Sequence, residues 1–316
     1  MHVTEEQRQL LALCAIRVGD RSPDWSVIAR AALRPGGLGD LASGTVPERS
    51  REASVTRDLI RKGLGDLATC LGRVDYELDL AAEVGARLVT VLDDDYPHNL
   101  RLIYNLPPFL FIRGRPFGVQ DSRSVAVVGT RAASTEGRNR ACRLAERLVQ
   151  ESVVVVSGLA YGIDQSAHRA TLDAGGRTIA VIGTGITRCY PAAHLELSDE
   201  IAERGTLVSQ FWPSSPPAKW TFPRRNVVMS GISQGTAVVE ASATSGAKMQ
   251  ARLALEHGKR VFLLHSLVTA QPWARDYVAR RGAVEVETVE EIVRRLAAPE
   301  RIRDVASARQ LALDLS

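Results

Sequence analysis

From Ser124 onward, short runs of β-branched and other apolar residues alternate with helix-compatible stretches. The order is "SVAVVGT", helix 135–150, "VVVVSG", helix 164–174, "TIAVIGTG", helix 194–203, "TLVSQF", a proline loop 213–223 and helix 225–232. It continues with "GTAVVEA", helix 246–257, "RVFLLH", helix 271–281, "AVEVE" and helix 288–297. Runs of five or six apolar residues are too short to span a membrane and too uniformly apolar for a sheet wetted on one face. Alternating with helices, they predict a doubly wound α/β domain with a mostly parallel sheet. Two strand-like runs precede the series, "RLVTVLD" and "PFLFIRG", so the domain is expected over 79–298. Residues 1–78 read as a small helical N-terminal domain, and 299–316 as a C-terminal tail. In the helical part, "PGGLGD" at 35–40 resembles a phosphate turn but follows a helix, so it reads as a glycine stop.

In a doubly wound sheet, ligands bind outside the carboxyl ends of the strands. The glycine-rich and polar segments all fall there. Gly129, Thr130 and Arg131 follow the first strand of the series; Ser157, Gly158, Gly162 and Asp164 follow the second. Gly183, Gly185 and Arg188 follow the third, with Tyr190 close behind. "FPRRN" puts Phe222, Arg224, Arg225 and Asn226 at a helix start, and "EASATSGAK" supplies Glu240, Ser242, Ser245, Gly246 and Lys248. Glycine lets a phosphate approach the backbone, while hydroxyls and helix N-termini donate to it.

Several functions are disfavoured. The glycine spacings "GLAYG" and "GTG" do not complete G-x-G-x-x-G, and no G-x-x-x-x-G-K-[ST] is present, which argues against NAD, FAD or ATP as cofactor. Cys14, Cys70, Cys142 and Cys189 form no C-x-x-C pair, so neither zinc nor a disulfide is expected. No Ser-His-Asp set or metal-ligand cluster stands out, and no catalytic residue is assigned. His168 reads as a packing or capping residue, and Asp164 as a residue of a helix's first turn. Glu240 fits either a general base or a carboxylate that orders nearby loop amides. Trp212 and Trp220 fit either packing or base stacking. The N-terminus lacks a basic start and a cleavage site, which makes the chain cytoplasmic by expectation. Of 40 basic residues 36 are arginine, a ratio that coding bias explains but that is compatible with a phosphate-binding face.

Across roughly 86–296 these segments resemble the DprA/Smf family of DNA-processing proteins. The residues that carry the resemblance are "LDDDYPHNLRLIYNLPPFLFIRG", "VAVVGTR", "SGLAYGIDQSAHRATL", "GGRTIAVIGTGI", "CYPAAHLEL", "FPRRN" and "VVEASATSGAKMQARLALEHGKRVF". The resemblance implies an extended Rossmann-like fold of the SLOG group, preceded by a small helical domain. It also implies single-stranded DNA in a basic pocket, a homodimer, and delivery of the strand to a RecA-type recombinase. On that reading Arg131, Arg188, Lys219, Arg224, Arg225 and Lys248 contact phosphates, and Phe222, Tyr161 or Trp220 stacks on bases.

The chain departs from the family in places. Where the family commonly reads serine-glycine-small-leucine-isoleucine-threonine-alanine, this chain has "SGAKMQA", with Lys248 and Gln250. The competing class is a nucleotide-ligand sensor of the SLOG group, or a nucleotide phosphoribohydrolase. The hydrolase is expected to carry P-G-G-x-G-T-x-x-E where "EASATSG" stands here.

Overall fold

The computed structural model describes residues 2–314. Five helices open the chain: α1 (Glu5–Ala15), α2 (Trp25–Ala32), α3 (Gly37–Ala42), α4 (Arg51–Gly63) and α5 (Leu67–Glu83). Thr4 and Gln7 cap α1 reciprocally: each side chain accepts from the other's backbone N–H. After α2 the chain turns at Gly36, whose φ of +68° is left-handed, so the glycine stop is real. A new helix, α3, follows at once, which the glycines hid from a propensity reading. The expected domain boundary after residue 78 lies inside α5, because that helix runs on to Glu83.

The remainder runs β1 (Ala86–Thr90), α6 (His98–Arg101), β2 (Phe109–Gly114), β3 (Ser124–Val128), α7 (Thr135–Gln150), β4 (Val154–Ser157), α8 (Ile163–Asp173), β5 (Thr178–Val181), α9 (Leu195–Arg204) and β6 (Thr206–Ser209). It continues with α10 (Thr221–Ile232), β7 (Gly235–Val238), α11 (Gly246–Glu256), β8 (Arg260–Leu264), α12 (His265–Ala270), α13 (Pro272–Arg281), β9 (Val284–Val286), α14 (Val289–Val293) and α15 (Pro299–Asp314). One nine-stranded sheet results, ordered β1-β2-β6-β5-β4-β3-β7-β8-β9. β2 is antiparallel to both β1 and β6, and every other pair is parallel. This is the extended Rossmann-like arrangement expected from the strand–helix alternation.

The strand order reverses between β3 and β7. β4, β5 and β6 build outward on one side, and β7, β8 and β9 on the other. Helices α7 and α8 bury Ala141, Leu144, Ala145, Leu148 and Ala167 against Val125, Val127, Val153 and Val155 on one face. The larger core fills the other face and runs without a break into the N-terminal helices. Its join is aromatic: Trp25 lies 4.9 Å and Trp212 lies 5.0 Å from Phe109, ring centroid to centroid. Trp212 is therefore core.

Two differences from the sequence reading have clear causes. α10 begins at Thr221, not 225, because Pro223 occupies the first helical turn, where its missing N–H is no loss. The expected tail folds as α15. Ala306 is buried and Gln310 Nε2 donates to the Leu33 carbonyl at 2.8 Å. Among the described residues no helix is long and apolar enough to cross a membrane.

Candidate functional site

Parallel pairing puts the carboxyl ends of β3, β4, β5 and β7 on one rim, so Gly129, Gly158, Gly183 and the turn before Gly246 share it. At the β3/β7 reversal the rim opens into a crevice of about 350 Å³. Gly129, Thr130, Arg131, Asp164, Phe222, Arg225, Asn226, Ser245 and Gly246 line it, all expected site residues. Ala160, Met229, Ser242, Met249 and Gln250 also line it.

The β3 side is fixed from β7. Thr130 N–H donates to the Glu240 carbonyl at 2.7 Å. The Glu240 carboxylate accepts from Ser134 N–H (3.1 Å) and Ser134 Oγ (2.6 Å). Ser134 Oγ accepts in turn from Gly137 N–H, capping α7. Of the two roles the sequence leaves open for Glu240, this geometry matches the ordering of loop amides.

The loop after β4 is held from beneath. Gly158 N–H donates to Asp164 Oδ2 at 3.1 Å, and Ser157 Oγ donates to the Val127 carbonyl at 2.7 Å. Leu159 adopts φ +57°, a strained left-handed conformation for a branched side chain, and is fully buried. His194 Nδ1–H donates to its carbonyl at 3.0 Å. Gly162 (φ +79°) packs against the carbonyls of Thr130 and Arg131, which a Cβ would strike at 2.4 and 2.7 Å. Burial raises the pKa of Asp164; the Arg225 charge and the loop amides oppose that shift.

Arg225 and Arg224 part company. Arg224 is exposed, 5.7 Å from the Trp220 ring centroid. Arg225 is buried, and its Nη1 donates to the Val181 carbonyl at 3.0 Å. Adjacent helix positions point about 100° apart, so one faces the rim and the other the core. Of the two arginines expected to meet phosphate, Arg224 lies on the exposed rim, while Arg225 lines the crevice from within, buried and held under Gly158. His168 is fully buried, with Nδ1 2.7 Å from Thr178 Oγ1. Burial, with the charges of Arg225 and His194, lowers its pKa to about 3, so it is a neutral packing residue.

The rim beside the crevice is aromatic and cationic. Arg131 is exposed, 5.3 Å from the Phe222 ring centroid. Phe222 covers Gly183, where a Cβ would come within 2.8 Å of the ring, and lies 5.6 Å from Tyr190. Tyr190, Tyr161 and Trp220 are all exposed. Gly185 packs on the carbonyls of Trp212 and Pro213. Arg188 is exposed and donates to the Ser214 carbonyl, while Ser214 itself donates twice to Glu77 of α5. Lys248 lies 5.8 Å from the Trp273 ring centroid. Ser157, Gly158, Gly162, Gly183, Gly185, Arg188, Arg224, Glu240 and Lys248 therefore support or flank the crevice and do not line it. Among the described residues no cluster of three or more His, Cys, Asp or Glu could hold a metal.

A guanidinium and flat rings at the topological switch point of a mostly parallel sheet place the protein in the Rossmann-like class. Residues 87–297 match the family described as DNA recombination-mediator protein A. The DNA processing protein DprA of Bacillus subtilis (strain 168) is 34% identical over 251 residues, which cover 78% of this chain and 84% of the relative. The DprA of Streptococcus pneumoniae is 41% identical over 175 residues, 55% of this chain and 61% of the relative. The X-ray structure of DprA from S. pneumoniae superposes with a TM-score of 0.70 at 27% identity, covering 94% of this chain and 100% of that one. A structure of DNA processing protein A from Helicobacter pylori, described by its unique single-stranded DNA binding mode, shares the fold. Its TM-score is 0.59 at 23% identity, over 66% of this chain and 94% of that one. The chain belongs to the DprA/Smf family of DNA recombination-mediator proteins.

Proposed function

We propose that this protein binds single-stranded DNA along the rim that carries Arg131 and Phe222. The observation that carries the reading is their pairing: a guanidinium stands 5.3 Å from a partly exposed ring at the mouth of a glycine-lined crevice. Arg131 grips a phosphate with two parallel N–H donors. Phe222 gives a base a stacking face, and Tyr190 and Trp220 extend that surface. Arg188, Lys219, Arg224 and Lys248 flank the path as further cations. The helical cap that occupies Glu240 favours binding over hydrolysis. The family resemblance supports a cytoplasmic homodimer that passes the strand to a RecA-type recombinase.

The test is a fluorescence-anisotropy titration with labelled oligo-dT at several salt concentrations. Arg131→Ala is expected to weaken binding and reduce the salt slope by about 0.7. A second reading, a pocket for a small nucleotide, rests on the crevice volume, which falls in the range of small-molecule sites. Tight mononucleotide binding without oligo-dT binding is the outcome that selects it.

A further inference from the structure

A second cavity, of about 510 Å³, lies where three separate parts of the chain meet. α2 and the turn after it supply Arg30, Leu33 and Arg34, and the stretch before α4 supplies Glu48 and Arg49. Arg101 at the end of α6 and Tyr104 and Leu106 beyond it form another wall. α15 closes the cavity with Ala306, Arg309 and Gln310. None of these residues lines the crevice at the strand ends.

Five arginines and one glutamate thus surround one space. The glutamate is already engaged: Glu48 accepts from Arg30 Nε at 2.9 Å, from Ser50 Oγ at 2.7 Å and from the Tyr104 hydroxyl at 3.1 Å. Arg101 donates to the Val91 and Asp93 carbonyls and lies in the field of Asp93, Asp94 and Asp95. The side chains of Arg34, Arg49 and Arg309 have neither an ion pair nor a hydrogen bond among the described residues. Unpaired cations lining one concave space focus their field on it, and an anion placed there relieves their mutual repulsion.

The lip of the cavity is aromatic. Tyr104 is 61% exposed, yet it is clamped. The Arg30 guanidinium carbon lies 3.7 Å from its ring centroid, and Arg30 Nη1 donates to its carbonyl at 2.8 Å. A held, exposed ring offers a flat face for stacking. Leu33 and Leu106 line the cavity as apolar surface. A guanidinium fork grips two phosphate oxygens at once, and two linked phosphates present enough oxygens for three forks, as a single carboxylate does not. A nucleic-acid strand spreads its phosphates along a track, whereas these cations converge on one cavity. The volume falls in the range of small-molecule sites.

We propose that this cavity binds a nucleoside diphosphate, with the diphosphate among Arg34, Arg49 and Arg309 and the base on Tyr104. Arg309 belongs to α15, and Arg34 and Arg49 belong to the N-terminal helical part, so the bound nucleotide ties the last helix to the first ones. The site is separate from the crevice and does not depend on the DNA reading.

The experiment is isothermal titration calorimetry of wild type, Arg34→Ala, Arg309→Ala, Tyr104→Ala and Arg131→Ala with ADP, inorganic diphosphate and adenosine. Wild type is expected to bind ADP more tightly than diphosphate, and adenosine not measurably. Arg34→Ala and Arg309→Ala should each weaken ADP binding about tenfold, the lower part of the range for a charge-assisted contact. Their ligand-free melting temperatures stay at the wild-type value, since neither side chain bonds anything in the fold. Tyr104→Ala brings ADP down to the affinity of diphosphate, and Arg131→Ala binds ADP as wild type does. Hydrogen exchange along α15 slows when ADP is added. Wild type that binds no ADP, or folded Arg34 and Arg309 variants that bind it undiminished, overturn the proposal. ADP binding lost in Arg131→Ala also overturns it, because the nucleotide then sits in the crevice. Equal wild-type affinity for ADP and inorganic diphosphate overturns the assignment of a nucleoside.

Discussion

A Cβ at position 158 would lie 1.3 Å from Nη1 of Arg225. The absence of a side chain on Gly158 is what lets the guanidinium sit under the loop and donate to the Val181 carbonyl. We expect Gly158→Ala to displace the guanidinium and lower stability by roughly 3 kcal/mol, the scale of a disrupted buried charge. Arg225→Ala should cost about as much, because Asp164 then stays buried without its nearby positive charge. Arg224→Ala, on the exposed side, should stay within about 0.5 kcal/mol of wild type. Urea unfolding separates these cases, and equal midpoints for Arg224→Ala and Arg225→Ala would contradict the placement.

Ser134 and Glu240 join the two walls of the crevice. Ser134→Ala should lower stability by about 1 kcal/mol through the loss of the α7 cap, and Glu240→Ala by about as much through the loss of its two hydrogen bonds to Ser134. Because they act through one contact, a double-mutant cycle of Ser134→Ala and Glu240→Ala should show at least about 0.5 kcal/mol of coupling. Strict additivity would mean that the carboxylate holds nothing.

Arg131 and Phe222 should fail differently. Phe222→Ala is expected to weaken oligo-dT binding by about 1–3 kcal/mol with little change in salt slope, since stacking releases no counterions. Arg131→Ala should change the slope. Anisotropy titrations across salt read both, and matching slope changes for the two variants would count against the assigned roles.

His168 sets an acid limit. Its folded pKa is about 3, below the unfolded value of roughly 6.5. Between these values the unfolded chain takes up a proton that the folded chain refuses, so stability falls as pH drops from about 6.5 toward 3. This one group accounts for about 1.4 kcal/mol per pH unit at most in that window. Denaturant midpoints should therefore fall less steeply with acidification in His168→Asn than in wild type. Parallel profiles would show that the ring is not the group refusing the proton.

The sheet was legible because each central strand is buried on both faces and reads as an unbroken apolar run, as in Val153–Val156. Helix α7 was legible at both ends because Ser134 caps it and its apolar stripe is clear. α15 was not, since only Pro299 and Ala306 among its described side chains are buried and its periodicity is correspondingly weak. The crevice residues were readable as polar segments after strands. The burial of Arg225 was not, because it depends on a glycine in another loop, and two neighbouring arginines look alike in a sequence. Gln250 was visible only as a departure from a family pattern; that its buried carboxamide has no hydrogen-bond partner among the described residues is a property of the packed structure.

The pairing of β3 with β7 also has a consequence for the chain as it is synthesised. The crevice residues that follow β3 and β4 have all been made by Asp164. The rest arrive only with α10, β7 and the start of α11. A nascent chain that stops between β6 and α10 has most of its sheet but nowhere to seat a strand, so ligand binding marks the nearly finished protein and cannot guide the folding of its first half.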